Sequence, residues 1–319
     1  MKYYLAVLAG AMSYGILSTI VVLAYGQGYQ LGEVVGSQLM TGFILSWLLA
    51  IYTKFRQNRG ARKAGQRQDS VASGQVFQRL TWKQCLLLMA AGTPTVITGL
   101  VYYESLRYIP ASLAIILLFQ FTWISVLIQA AIKRKRPEKL TLLTLVILLG
   151  GTLIAAGFLE NGHSGIHIRG IALGLMSAVS YSLFVLFNGK AVSNAHPAYR
   201  SAWMVTGGLI LLCILFPPTF LFNGLIWSQL LVFGLLLGVF GAFIPSVLFA
   251  TGVPHIGGDM AGIIGAAELP VAVLMSAIVL HEQVSGLQWL GVIIVLIGVA
   301  LPELYKYWLS RSGSKTIFS

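Results

Sequence analysis

The chain has 319 residues, of which 57% are apolar and 9% charged, with a formal net charge of +12. Soluble domains carry about 25% charged residues, so a water-soluble enzyme or regulatory domain is excluded for most of the length. The basic excess would suggest nucleic acid in a soluble protein, but its placement here points to a membrane, and no nucleic-acid partner is expected.

Ten apolar segments follow one another at 3–25, 33–53, 84–107, 110–132, 140–159, 168–188, 201–221, 228–251, 256–280 and 285–308. Each is near the ~20 residues that cross a hydrocarbon layer of ~30 Å. The first follows Lys2, exceeds a signal-peptide core and shows no small-residue cleavage site, so it reads as a retained span. A basic, polar loop at 54–83 joins the second and third spans; it is expected to be irregular and to face anionic lipid. The seventh and eighth spans lie in a run from Ser201 to Gly258 that contains no Asp, Glu, Lys or Arg, split by Pro217-Pro218 and Asn223-Gly224. All but two of the 21 lysines and arginines fall on one side of these segments; Arg107 and Arg169 fall on the other. Retained Lys and Arg set orientation, so both termini are expected in the cytoplasm and the chain in the cytoplasmic membrane. The predicted fold is an all-α integral membrane protein of ten transmembrane helices.

The ten helices read as two copies of a five-helix unit, 1–160 and 161–319. A gapless shift of 147 residues pairs Ile109 with Ile256, Ala114 with Ala261 and Gly151 with Gly298. Near each start, Ala11-Met12-Ser13-Tyr14 matches Ala178-Val179-Ser180-Tyr181. Five crossings is an odd number, so the second copy begins on the opposite face and the repeat is inverted. Inverted repeats place a substrate site near the midplane and let one half rock against the other.

The residues Leu106-Arg107-Tyr108-Ile109-Pro110-Ala111-Ser112-Leu113-Ala114, with Ala266-Ala267-Glu268-Leu269-Pro270-Val271-Ala272-Val273 and His281-Glu282, resemble the drug/metabolite transporter superfamily in its EamA-like branch. The resemblance implies a ten-helix carrier and covers essentially the whole chain. Such families show a Glu-Pro or similar pair in the ninth helix and a Gly-Glu at its end. Here Leu269 separates Glu268 from Pro270, His281 replaces the Gly, and the first half has Arg134-Lys135 where the second has His281-Glu282.

Glu268 is the first candidate for the site. It sits mid-span, where an ionised side chain costs several kcal/mol unless paired, hydrated or protonated, so it is a proton-coupling group or the counter-charge for an amine. Gln120 falls within one residue of the equivalent position in the fourth span and would place an amide opposite the carboxylate; an interhelical hydrogen bond is the other reading. Pro94 and Pro245 interrupt corresponding helices and free the carbonyls of Ala90 and Gly241, as helix breaks beside a site do; simple kinks are the alternative. Tyr14, Tyr181 and Trp123 line a cavity or pack in the core, and Gln38 faces the same cavity. Tyr102 and Trp203 also lie at membrane depth, whereas Tyr3, Tyr4, Trp82 and Trp308 are interfacial anchors.

Several signals carry less. Glu104 and Arg107 form an interfacial ion pair or a gate. Asp259, near His255, stabilises a helix start or relays a proton. His163 and His167 share a loop with Glu160, but neither a metal site nor a cofactor is expected. Cys85 and Cys213 read as core residues. The pairs Gly32/Gly36, Gly170/Gly174, Gly234/Gly238 and Gly258/Gly262 suit close helix packing, within the bundle first and in a homodimer second.

The expected function is a secondary transporter for a small organic metabolite such as an amino acid or amine, and not an enzyme. No P-loop, nucleophile elbow or zinc motif is present in the sequence. The alternative is a flippase for a lipid-linked sugar or lipid carrier, which would need a groove open to the bilayer.

Overall fold

The structure is a computed structural model that describes residues 2–64, 80–134, 139–155, 167–188, 196–245 and 264–313, with 248, 252 and 255–256. Most of the second part of the basic loop, Glu160, His163, Gly258, Asp259 and Gly262 lie outside the described residues. Among the described residues the regular structure is helical throughout, with ten apolar helical segments. Helix is what hydrocarbon demands, because each backbone donor and acceptor must find its partner within the segment. The side chains agree: Leu5, Leu48, Ile51, Val146, Ile214 and Ile278 are exposed on the outside of the bundle, while Ser177, Ser182 and Ser276 are buried inside.

In chain order, α1 (Lys2–Gly15) and α2 (Leu17–Gly26) form the first span, α3 runs Leu31–Ala64 and α4 runs Trp82–Ser105. The fourth span is α5 (Ala111–Leu118) and α6 (Phe121–Lys133); α7 is Lys139–Ala155, α8 Ile168–Asn188 and α9 Pro197–Leu215. Then come α10 (Gln229–Gly238) with a π-helical turn at Val239–Phe243, α11 (Glu268–Val279) and α12 (Gly286–Gly313).

Four local features depart from ten uninterrupted spans. Helix α3 continues to Ala64, through the first part of the segment expected to be an irregular loop, because Lys, Arg, Gln and Ala are strong helix formers even outside hydrocarbon. The fourth span breaks at Phe119-Gln120. There the Gln120 side chain donates to Ile116 O at 2.9 Å, taking the carbonyl that its own backbone would use, while its N–H turns to Leu117 O. The ninth span breaks at Ala266-Ala267. Pro270 has no N–H to offer Ala266 O, which accepts from Leu269 N at 3.1 Å instead. The π turn precedes Pro245 and loosens the helix where the proline ring would strike a regular turn.

Packing pairs α7 with α12, α4 with α8 and α9, α3 with α9 and α10, α1 with α11, and α5 and α6 with α8. Helices α4 and α9 approach closest at Gly92, which abuts Met204, and Gly207, which abuts Met89. Three small-residue ridges are used inside the bundle: Gly32/Gly36 against Phe216 and Phe220, Gly170/Gly174 against Ile109 and Leu117, and Gly234/Gly238 against Ser37 and Thr41. A side chain at these contacts would push the helices apart.

Candidate functional site

A cavity of about 580 Å³ lies among α1, α3, α4, α8, α9 and the turn after α10, within the size range of small-molecule sites. From the first half it takes Tyr14, Gln38, Thr95 and Tyr103; from the second, Phe184, Arg200, Ser201 and Pro245. Glycines keep its walls thin: Gly42, Gly92, Gly99 and Gly241 all line it. Ser13 Oγ donates to Phe240 O at 2.6 Å, so α1 is pinned to the π turn beside Tyr14. Gln38 reaches from α3 to abut Gly241 of the π turn and faces Tyr103.

Glu268 stands behind one wall of this cavity. It opens α11 and is half-buried; its backbone carbonyl abuts Gly15 of α1. Tyr14, Tyr102, Tyr103 and Tyr181 all lie within electrostatic reach of its carboxylate. Tyr14 and Tyr103 also line the cavity, so these two phenols touch both the cavity and the electrostatic surroundings of the acid. Among the described residues no lysine or arginine lies within ion-pair distance of Glu268, and no hydrogen bond holds its carboxylate. Close by, Ser18 Oγ, Thr19 Oγ1 and Tyr102 Oη are buried with no hydrogen-bond partner, although Tyr102 faces Ser18.

Gln120 is held quite differently. Its Nε2 donates to Ile116 O at 2.9 Å and Thr152 Oγ1 at 2.7 Å, and its Oε1 accepts from Trp123 Nε1 at 2.8 Å. It is 1% exposed, and neither it nor Trp123 lines the cavity. Tyr181 sits edge-on to Phe121, ring centroids 4.6 Å apart, and next to Phe184. Pro94 is off the cavity as well: Thr93 Oγ1 donates to the freed Ala90 carbonyl at 2.8 Å, and Ser180 Oγ to Pro94 O at 2.9 Å. Of the residues picked from sequence, the structure brings together Tyr14, Gln38 and Pro245 at the cavity and Glu268 behind it. Gln120 and Trp123 form a separate knot.

At the end of the bundle that carries Arg107, polar contacts link several helix ends. The Glu282 carboxylate accepts from Ala111 N at 2.7 Å, Ser112 Oγ at 2.7 Å and Ser112 N at 3.2 Å, capping α5 from the far end of α11. Arg107 pairs with Glu104 at 3.5 Å, donates to Gln30 at 3.1 Å and lies 4.7 Å over the Tyr25 ring. Tyr25 in turn donates to Tyr103 O at 3.2 Å.

Two residues of this arrangement were missed as site residues in the sequence. Arg200 reads there as a loop cation, yet it lines the cavity from the first turn of α9. The available signal was His196-Pro197, a cap and first-turn proline that start the helix four residues early. Glu282 reads only as part of a family motif; the exposed start at Pro110-Ala111-Ser112, which needs an acceptor, was the clue.

The EamA-like transporter family model matches residues 1–157 and 168–302. The chain is 25% identical over 206 residues to an uncharacterized transporter, sll1319, of Synechocystis sp., spanning 64% of this chain and 62% of that protein's length. One crystal structure of a protein shares the fold with a TM-score of 0.60 and 16% identity, covering 95% of this chain and 98% of the other. With its apolar helices, this makes the chain a multi-pass membrane protein of the transporter type. The chain belongs to the EamA-like transporter family.

Proposed function

We propose that the protein is a secondary carrier that moves a small organic metabolite across the cytoplasmic membrane by alternating access, with Glu268 as its proton-coupling group. The observation that supports this reading is the cavity lined by residues of both halves, with a carboxyl group near its tyrosines that has no ion-pair partner among the described residues. A carboxyl group at that depth is where a proton or a substrate cation is best accommodated.

Several details support an inverted repeat. The helix breaks at 119–120 and 266–267 are 147 residues apart, the spacing that aligns the two halves in sequence. So are Arg134 and His281, the non-glycine residues with positive φ among the described residues, at 51° and 55°. Exchanging the halves also maps the packing onto itself: α1 on α11 corresponds to α8 on α5 and α6, and α3 on α10 to α9 on α4. In this reading the described state is closed at the Glu282 end. Rocking to open that end breaks the Glu282 cap and the Arg107 contacts, while Arg200 and Ser201 belong to the opposite, basic end.

The test is counterflow in proteoliposomes, using labelled amino acids, amines, sugars and nucleosides against unlabelled solute inside. Uphill accumulation of one class is expected. Intact protein that moves none of them but scrambles a lipid-linked sugar would replace the carrier with a flippase.

A further inference from the structure

We infer that Glu268 exchanges its proton with the Arg107 end of the bundle along a path separate from the cavity, in which the hydroxyls of Tyr102 and Ser18, bridged by water, act as the relay. This rests on the reading of Glu268 as the proton-coupling group and names the residues that feed it. Ser18 Oγ, Thr19 Oγ1 and Tyr102 Oη are enclosed in the bundle and have no hydrogen-bond partner. Elsewhere in the bundle buried serines settle on a carbonyl of their own helix: Ser37 on Val34 O, Ser177 on Gly174 O and Ser276 on Val273 O. Ser18 and Thr19 do not, so their hydroxyls stay free to donate and accept. A buried hydroxyl that the protein leaves without a partner is satisfied by water.

Their placement gives the path its direction. Gly15 abuts the Glu268 backbone carbonyl, and Ser18 and Thr19 follow one turn further on, in α2, which packs on α11. Tyr102 stands in the last turn of α4, which ends at Ser105 beside Glu104 and Arg107, and it faces Ser18. Four phenols surround Glu268: Tyr14 from α1, Tyr102 and Tyr103 from α4, and Tyr181 from α8. Of these, Tyr102 is the one whose electrostatic surroundings also include Glu282, at the end of the bundle. Tyr14 and Tyr103 line the cavity, whereas Tyr102 and Ser18 do not. In the relay, a water on the Glu282 side gives a proton to Tyr102 Oη while the phenolic proton leaves to a water held by Ser18. That water passes a proton to the Glu268 carboxylate, so the phenol and the serine are neutral before and after, and water is the co-reactant. A buried water takes about two to four polar partners, a number that these hydroxyls and the carboxylate supply.

The experiment uses the proton itself as the probe and needs no solute. Reconstituted protein is taken through a rapid pH drop that spans the titration of Glu268, and the infrared C=O stretch of its protonated carboxyl group is followed in time. Glu268→Gln identifies the band by removing it. Tyr102→Phe keeps the ring and removes the hydroxyl. It should slow the appearance of the band at least about tenfold, less than the full effect of a positioned proton donor because water remains, and leave its final amplitude unchanged. Ser18→Ala should slow it in the same direction, and D2O should slow Tyr102→Phe more than wild type, which a packing defect would not do. Circular dichroism and monodisperse elution keep misfolding apart from a lost relay. Wild-type rates in folded Tyr102→Phe and Ser18→Ala overturn the inference and leave the cavity as the route. A band whose final amplitude is lost in folded Tyr102→Phe also overturns it, because Tyr102 then holds the protonated acid in place and relays nothing. A wild type with no band that depends on Glu268 is a separate outcome: it removes the proton-coupling reading, and the route falls with it.

Discussion

The fourth and ninth spans hold matching places in the proposed repeat, yet the polar residues at their breaks are held in opposite ways. Both break near the middle, at Phe119-Gln120 and at Ala266-Ala267. In the fourth the polar residue at the break is an amide with donor and acceptor both occupied, by Ile116, Thr152 and Trp123. In the ninth it is a carboxyl group among tyrosines, with no cation at ion-pair distance among the described residues. Their ends differ too. The ninth span closes on Glu282, which caps α5, whereas at the equivalent place in the sequence the fourth ends in Lys135. The fourth span is fixed by satisfied hydrogen bonds; the ninth keeps an ionisable group that has no ion-pair partner among the described residues. In the proposed rocking mechanism the fixed copy would serve as the frame against which the other half moves.

Glu268→Gln should have the largest effect. It keeps the shape and removes the proton, so accumulation driven by a pH gradient should fall at least about tenfold, the scale of a lost pairwise coupling, while solute exchange persists. Loss of both would make Glu268 a packing residue and erase its difference from Gln120.

Next is Glu282→Ala, which removes three hydrogen bonds from the α5 start, two of them to backbone N–H groups. A cap of this charge-assisted kind is worth about 2 kcal/mol, so thermal unfolding should move down by several degrees. A thiol introduced near that end, at Leu113, should also become more reactive to a membrane-impermeant maleimide. Unchanged labelling would show that the cap does not hold this end closed.

Gln120→Leu should cost less, about 1 kcal/mol, the usual scale of a hydrogen bond between membrane helices. Substrate KM should not change, because Gln120 does not line the cavity. A large KM effect would bring the fourth span into the site and break the contrast.

The smallest effect concerns His196, whose Nδ1 accepts from Ala198 N at 3.3 Å at the start of α9. Burial holds this imidazole below its ordinary value. Its neutral form is therefore favoured in the fold, and the stability it contributes is present above the ordinary imidazole range and lost as pH falls through the lower folded value. His196→Asn keeps the cap without titrating, so its unfolding temperature should drop less than the wild type's between pH 7 and pH 5, by about 2 °C.

What could be read in the sequence was what hydrocarbon and covalent chemistry decide locally. Ten apolar segments were legible because backbone satisfaction in a membrane leaves little choice. The break before Glu268 was legible in principle, since Pro270 has no donor for Ala266 O. The matching break at Gln120 was not, because it depends on a side chain taking its own helix's carbonyl while Thr152, on another helix, holds the amide in place. Arg200 was hidden for a different reason. An arginine at a span edge reads by default as a topological anchor, and only the early start of α9 turns it onto the cavity wall. Tyr181 and Trp123 were legible as aromatic residues at membrane depth, but whether such a ring lines a space or fills one is set by neighbours far away in the chain.

The proposed role of Glu268 is to carry the proton that accompanies the solute. It is tested most directly by counting protons when a transported solute is added to purified protein in weak buffer with a pH-indicator dye. A proton change of about one per bound solute is expected in wild type and in Gln120→Leu, and none in Glu268→Gln. An undiminished proton change in Glu268→Gln, with solute still bound, would contradict it.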